Sequence, residues 1–124
     1  MMTKLNIGIA PYEEMKRWTL AVASGKIKVE SDAPKLWFTS LKAAANVFTE
    51  ENRHLLKVIA EEHPQSIAEL EKLTQRKASN LSRTLRKLEQ YGVVRLVEGE
   101  TPKGRKPLRP EVMVDSVSVS FTLV

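Results

Sequence analysis

The segment from Ser66 to Gly92 constrains the fold more than any other part of the chain, because two helical patterns follow each other across a short break, Thr74-Gln75-Arg76. Ser66 followed by Glu69 is a capping-box pattern, which predicts a helix start with the carboxylate returning to the amide of Ser66. Apolar residues recur at helical spacing on both sides of the break, and Gly92 marks a helix end. Two helices joined by so short a turn cannot lie antiparallel, so the segment predicts a helix-turn-helix arrangement.

The second predicted helix, residues 77–91, has two different faces. Its apolar face consists of Ala78, Leu81, Leu85 and Leu88. The opposite face contains no carboxylate and carries Arg76, Ser79, Asn80 and Arg83, flanked by Lys77, Ser82, Arg86 and Lys87. Arginine can bond bidentately to guanine, asparagine to adenine, and serine or lysine to phosphate. A solvated helix face usually mixes both signs of charge, and serine and asparagine are poor helix-interior residues. The pattern therefore favours a DNA-binding helix over the alternative of a merely solvated amphipathic one.

The run from Leu81 to Val94 resembles the recognition-helix signature of winged helix-turn-helix regulators of the MarR-like type. In that signature an apolar-Ser-Arg start leads to a Leu-Glu pair and then to Gly and two apolar residues. A wider stretch, from Trp37 through Glu50-Glu51-Asn52-Arg53 to Gly92, is similar to a group of short archaeal and bacterial DNA-binding proteins. Some of those are antitoxin-like autorepressors. The resemblance implies a winged helix-turn-helix fold and DNA as the ligand.

The chain also departs from that pattern. Gln75 stands where many helix-turn-helix turns carry Gly, and Lys77 occupies a position where a better N-cap such as Ser is common. Both chain ends read as strands, whereas typical MarR proteins dimerise through long terminal helices. The dimer mode and ligand pocket of the family are therefore not carried over.

Composition indicates one domain with a real core, because the chain has 124 residues of which 42% are apolar. Without cysteine it can form neither a disulfide nor a cysteine-based zinc site. No targeting segment or membrane span is apparent, so a soluble cytoplasmic protein is expected. Residues 76–109 contain ten basic and three acidic residues, a balance of +7, while the rest has ten basic and twelve acidic residues, or −2. The positive charge thus belongs to the second helix and the segment after it.

The expected fold class is α+β, with a winged helix-turn-helix domain at residues 41–110. Within it, a helix Glu50–Glu62 capped by Thr49 supports the helix pair. Residues 1–40 add an N-terminal strand, Lys4–Ala10, and a helix, Pro11–Ser24, for packing or dimerisation. Trp18 is predicted to pack in a core or a dimer interface. Residues 111–124 read as a long strand that pairs with the N-terminal strand, and the sequence leaves open whether within or between chains.

A basic wing is predicted after the second helix. Val93 to Val97 and Pro107 to Arg109 read as the two strands of a hairpin. The loop 98–107 between them carries three cations, Lys103, Arg105 and Lys106. Cations at such a tip can reach phosphates or the adjacent minor groove. The alternative is a hairpin loop that is charged only because loops commonly are.

No nucleotide-binding, metalloprotease or hydrolase motif occurs in the sequence, and His54 and His63 have no obvious third ligand. We therefore expect no catalytic site, no metal and no cofactor, and we do not expect an enzyme. The expected function is sequence-specific binding of double-stranded DNA, most simply by a homodimeric repressor that inserts residues 77–91 into the major groove. The alternative is a protein-interaction module or antitoxin that binds a partner toxin through its terminal segments. RNA binding is a third, weaker hypothesis.

Overall fold

The computed structural model describes residues 3–99 and 107–123, and these residues form an α+β protein, as the sequence predicts. Its described helices are α1 Tyr12–Ala23, α2 Leu41–Val47, α3 Glu50–Glu62, α4 Ile67–Thr74 and α5 Ala78–Gln90. Its described strands are β1 Lys4–Ile9, β2 Leu36–Phe38, β3 Val94–Glu98, β4 Leu108–Val112 and β5 Ser116–Phe121. The chain divides into two units: the first unit comprises residues 1–47 and 116–124, and the second unit comprises residues 48–115. Among the described helices, none combines the length and the apolar character that crossing a membrane requires.

The first unit contains a three-stranded parallel sheet in the order β2-β1-β5. Ile7 of the central strand is opposite Leu36 on one side and Val119 on the other. Parallel neighbours require a crossover connection, and α1 lies in the connection between β1 and β2. The N-terminal and C-terminal strands therefore pair within one chain. The apolar side chains of β1 are buried, whereas Val119 and Phe121 of the edge strand β5 are 49% and 52% exposed.

Gly8 of β1 lies against the indole ring of Trp37 in β2. A Cβ atom at Gly8 would lie 2.5 Å from Cζ3 of Trp37, so a larger residue here would displace the ring. Trp18 of α1 completes the cluster, with its ring centroid 5.4 Å from that of Trp37 and an interplanar angle of 54°. Trp18 therefore packs inside the first unit. The strand β2 was not predicted, because three residues are too few to display a period of two.

The first two helices of the second unit, α3 and α4, start at the predicted caps. Thr49 Oγ1 accepts the amide hydrogen of Asn52 at 3.1 Å, and Ser66 Oγ accepts that of Glu69 at 3.0 Å. The reciprocal half of the predicted capping box is wrong, because the carboxylate of Glu69 accepts from the amide of Gln65 at 3.2 Å instead of that of Ser66. Both amides precede the helix, and the long glutamate side chain reaches the one that lies a residue further out.

The core of the second unit is built mainly from leucine and isoleucine side chains of its three helices. Six of them are at most 2% exposed: Leu55, Ile59, Leu70, Leu81, Leu85 and Leu88. The predicted apolar face of α4 is less complete, because Ile67 is half-buried and Leu73 is 41% exposed. Burial is thus deepest along α5, where one leucine in each of three successive helical turns packs into the core of the unit.

The hairpin β3-β4 is antiparallel and pairs Val94 with Val112 and Glu98 with Leu108. Glu111 belongs to this hairpin, so the tail predicted as one strand from Glu111 is divided between β4 and β5. The amide of Met113 still donates to the carbonyl of Val93 at 2.8 Å, which keeps the chain in the hairpin to that point. Apolar and polar residues alternate within each strand, and the alternation is interrupted between them at Val112-Met113-Val114-Asp115-Ser116, which is the sequence signal of the break.

A Schellman motif ends α5. The amide of Val93 donates to the carbonyl of Leu88 at 2.9 Å, and that of Gly92 donates to the carbonyl of Glu89 at 3.0 Å. Gly92 has a φ of 81°, in the left-handed region that favours glycine. Glu89 also accepts the amide of Leu96 through Oε2 at 3.1 Å, which joins α5 to β3. The Leu-Glu pair and the glycine of the sequence pattern thus form the connection from the helix to the hairpin.

We expect Gly92→Ala to lower the free energy of unfolding by about 1–2 kcal/mol, the cost of a left-handed backbone for a residue with a Cβ. No heavy atom lies within 4 Å of the added Cβ, so no steric clash contributes. Urea denaturation followed by circular dichroism measures the change. Gly92→Asn is the matched control and should lose less, because asparagine tolerates this conformation better. Equal losses for the two variants would contradict the backbone explanation.

Candidate functional site

The exposed side of α5 is the strongest candidate for a functional site. Leu81, Leu85 and Leu88 hold the helix to the unit with at most 1% exposure. The side chains that project from the other side are exposed, and we call them the α5 basic face: Lys77, Ser79, Asn80, Arg83, Arg86 and Lys87. Arg76 and Ser82, also predicted from the sequence to bind DNA, are half-buried beside this face. The fold therefore brings the predicted helix residues together on one surface.

The four cations of the α5 basic face are not neutralised by the rest of the described protein. Within residues 3–99 and 107–123, no carboxylate forms an ion pair with Lys77, Arg83, Arg86 or Lys87. Other arginines of the second unit differ, since Arg53 pairs with Glu50 at 3.5 Å and Arg109 with Glu111 at 2.7 Å. Mutual repulsion among exposed cations is relieved when an anionic ligand binds, so this surface can accept a polyanion.

The N-terminus of α5 is capped from another helix. Lys77 occupies the N-cap position but makes no capping hydrogen bond. Oε2 of Glu71, in α4, accepts the amide hydrogen of Ala78 at 2.8 Å. A carboxylate near a helix N-terminus is stabilising. No sequence pattern predicts this contact, because Glu71 lies seven residues before Ala78 and across the turn.

The turn between α4 and α5 has a left-handed residue at its start. Gln75 has a φ of 64°, although it is not glycine, and its amide donates to the carbonyl of Glu71 at 2.9 Å. Oγ1 of Thr74 accepts the amide of Arg76 at 3.3 Å. These bonds fix the direction in which the chain enters α5. The position where many such turns carry Gly thus has the conformation that favours glycine, with glutamine in its place.

Arg76 connects the turn to two helices. Its Nε and Nη2 atoms donate to Oδ1 of Asn80 at 3.0 and 2.7 Å. Nη1 donates to Oδ1 of Asn52 in α3 at 3.4 Å, and Nη2 also donates to Oγ1 of Thr84 at 3.2 Å. Each nitrogen of the guanidinium thus contacts a protein acceptor. The sequence predicts that Arg76 binds DNA, and this stays a prediction; in the structure its side chain joins α3, the turn and α5.

The predicted wing is described only in part. The strands β3 and β4 of the hairpin follow α5 directly. The wing cations Lys103, Arg105 and Lys106 lie outside the described residues, and their contribution stays a prediction.

The sequence pattern did not identify three residues around the site, because each contacts a partner that is distant in sequence or on another face of its helix. These residues are Asn52, Glu71 and Thr84.

A separate cavity of about 350 Å³ lies between α3 and β4. It is lined by Ile59, Ala60, His63, Pro64, Arg109, Pro110, Glu111 and Val112. A hydrogen bond from Arg95 and, more weakly, the charges of Arg95 and Arg109 keep the pKa of Glu111 below its usual range. Glu111 is therefore ionised at neutral pH and forms ion pairs with both Arg95 and Arg109. Unlike the α5 basic face, this cavity has a carboxylate that pairs with its neighbouring arginines.

The fold and the site define an α+β protein whose second unit presents a basic helix face on a leucine core. The family model designated HVO_A0114 matches residues 47–119, which is more than half of the chain, so the chain belongs to the HVO_A0114 family. The matched region contains the whole second unit, including the α5 basic face, and extends into β5. No curated protein matches the chain. The designation of the family names no ligand or activity.

Proposed function

We propose that this protein is a sequence-specific DNA-binding regulator whose second unit acts as a winged helix-turn-helix domain. The α5 basic face is the observation that carries the proposal. It is exposed, and its cations have no carboxylate partner among the described residues, whereas the leucines on the other side of α5 are buried. Binding to DNA would neutralise those cations with phosphates and release condensed counterions, which is the main source of sequence-independent affinity. The resemblance to MarR-like regulators agrees with this function.

The order of elements in the second unit supports the same proposal. A supporting helix, α3, precedes the pair α4 and α5, and the hairpin β3-β4 follows at once. In a winged helix-turn-helix domain the second helix of the pair enters the major groove and the hairpin contacts the flanking backbone. In our proposal α5 is that helix, and the loop with Lys103, Arg105 and Lys106 would hold the flank.

Side chains of the α5 basic face would divide between bases and phosphates. Ser79, Asn80 and Arg83 are proposed to contact base edges, because serine, asparagine and arginine are the types that read a major groove. Lys77, Arg86 and Lys87 are proposed to contact phosphates and to set the register of the helix on the duplex. Arg76 is left out of this set, since its nitrogens already donate to protein oxygens.

We further propose a homodimeric repressor. A two-fold dimer of such domains binds a palindromic site, with half-sites about one helical turn apart. Selection of bound duplexes from a random pool, at physiological salt, tests the proposal. A palindromic consensus is the expected result. A pool that remains unenriched after repeated rounds, with the protein folded by circular dichroism, would overturn it.

A second candidate function is a protein-interaction module, such as an antitoxin that binds a toxin. It is supported by the exposed apolar side chains of the C-terminal segment, namely Val119, Phe121 and Leu123, the last of which is 81% exposed. The same duplex selection separates the two functions. A module without a role on DNA would leave the pool unenriched, whereas an autorepressing antitoxin would enrich it.

A further inference from the structure

Asn80 is the residue of the α5 basic face whose side chain has a fixed orientation. Its Oδ1 accepts two hydrogen bonds from Arg76, through Nε at 3.0 Å and Nη2 at 2.7 Å. A guanidinium has donors and no acceptor, so the atom that faces it must be the carbonyl oxygen of the amide and not the nitrogen. Oδ1 is thereby directed at the guanidinium of Arg76.

The amide nitrogen of Asn80 is consequently the part that is available to a ligand. Asn80 is exposed, and within residues 3–99 and 107–123 its Nδ2 has no hydrogen-bond partner. Arg76 itself is anchored at Asn52 and Thr84, so it holds the orientation of Asn80 from two helices. The side chain thus offers a ligand the two N–H donors of Nδ2, while its oxygen is engaged by Arg76.

We infer that Asn80 reads guanine through Nδ2 as a donor-only group, and that Arg76 is the positioning residue that sets this preference. The inference rests on the proposed function. Bidentate recognition of adenine requires both halves of the amide: oxygen for the N6 hydrogen and nitrogen for N7. Because Oδ1 is engaged by the guanidinium of Arg76, we expect the adenine pair to be incomplete. Guanine instead offers two adjacent acceptors, N7 and O6, in the major groove, which match the two hydrogens of Nδ2.

This assignment differs from the adenine contact that asparagine alone suggests. The difference depends on Arg76, because a free asparagine can turn its oxygen toward the bases. Removing the donors at position 76 should release Oδ1 and allow the adenine pair to form. Arg76→Met does so while it retains an unbranched stem of similar length. Asn80→Asp is the matched second variant, because it has the same size and keeps an oxygen for Arg76.

The experiment is duplex selection from a random pool with the wild type, Asn80→Ala, Arg76→Met and Asn80→Asp. The base position whose preference disappears in Asn80→Ala identifies the contact. At that position we expect guanine in the wild type, with a discrimination of about 5- to 150-fold over other bases. We expect adenine in Arg76→Met. In Asn80→Asp, where acceptors replace the donors, we expect cytosine, whose N4 group is a donor.

A merely structural role of Arg76 would weaken binding without changing the preferred base, and that result would overturn the inference. Adenine at the Asn80-dependent position of the wild type would overturn it as well, as would equal losses on all sequences in Asn80→Ala, which would indicate a phosphate contact. If Arg76→Met does not fold, a preference for guanine that persists in Asn80→Asp would overturn the inference instead. These results leave DNA binding intact, whereas an unenriched wild-type pool would overturn the proposed function itself.

Discussion

Replacing Leu85 by alanine is expected to lower the free energy of unfolding by about 2–5 kcal/mol. Leu85 is 0% exposed in the middle of α5, and alanine would leave a cavity that the surrounding helices fill only in part. Helix propensity would not decrease, since alanine is the strongest helix former, so the whole loss would come from packing. Urea denaturation followed by circular dichroism measures the change.

The control for this variant is Arg86→Ala, on the exposed side of the same helix, which should change stability by at most about 0.5 kcal/mol. Tryptophan fluorescence reports on the first unit, because Trp18 and Trp37, the two tryptophans of the chain, both belong to it, so it shows whether the loss stays within the second unit. A denaturation midpoint for Leu85→Ala equal to that of the control would show that α5 is not held by its leucines. The assignment of its opposite side as the free surface would then fail.

Replacing Arg83 by alanine is expected to weaken binding to the selected duplex by about 1–3 kcal/mol and to relax preference at one base position. Arg83 is exposed in the middle of the α5 basic face and has no ion-pair partner within the described ranges. Its guanidinium can donate two hydrogen bonds to guanine, which alanine cannot replace. Binding isotherms on cognate and scrambled duplexes, at one salt concentration, measure the difference.

Two controls separate charge from base recognition. Arg83→Lys keeps the charge and loses the fork, so it should retain binding to scrambled DNA and show a weaker preference for the cognate site than the wild type. Arg95→Ala removes one positive charge from an arginine that is already bonded to Glu111, and it should affect both duplexes little. Equal losses of Arg83→Ala on cognate and scrambled duplexes would assign Arg83 to a phosphate contact and contradict its proposed role.

Local patterns predicted the elements of the second unit closely. Thr49 and Ser66 start helices because a hydroxyl can accept an amide only three residues away, and that contact depends on neighbouring sequence alone. Gly92 ends α5 because its left-handed backbone is costly for other residues. The leucine spacing of α5 likewise identified the buried side and, by subtraction, the exposed residues of the candidate site.

Contacts between distant residues could not be predicted in the same way. The parallel register of β1 with β2 and β5 joins segments from both ends of the chain, and three residues of β2 carry no periodic signal. The cap that Glu71 provides for α5 depends on the path of the turn. The break between β4 and β5, in contrast, is marked in the sequence, because the alternation is interrupted at Val112-Met113-Val114-Asp115-Ser116.

The sequence by itself determined the α+β class, the caps of α3 and α4 and the residue types on each side of α5, because these depend on interactions within a few residues. Only the tertiary structure decided what those side chains can offer a ligand. Arg76 and Asn80 look like two independent DNA contacts in the sequence. Their hydrogen bonds to each other and to Asn52, which comes from a separate helix, fix the amide in one orientation. Hydrogen bonds are directional, so the geometry of a neighbouring helix determines whether this asparagine presents a donor or an acceptor.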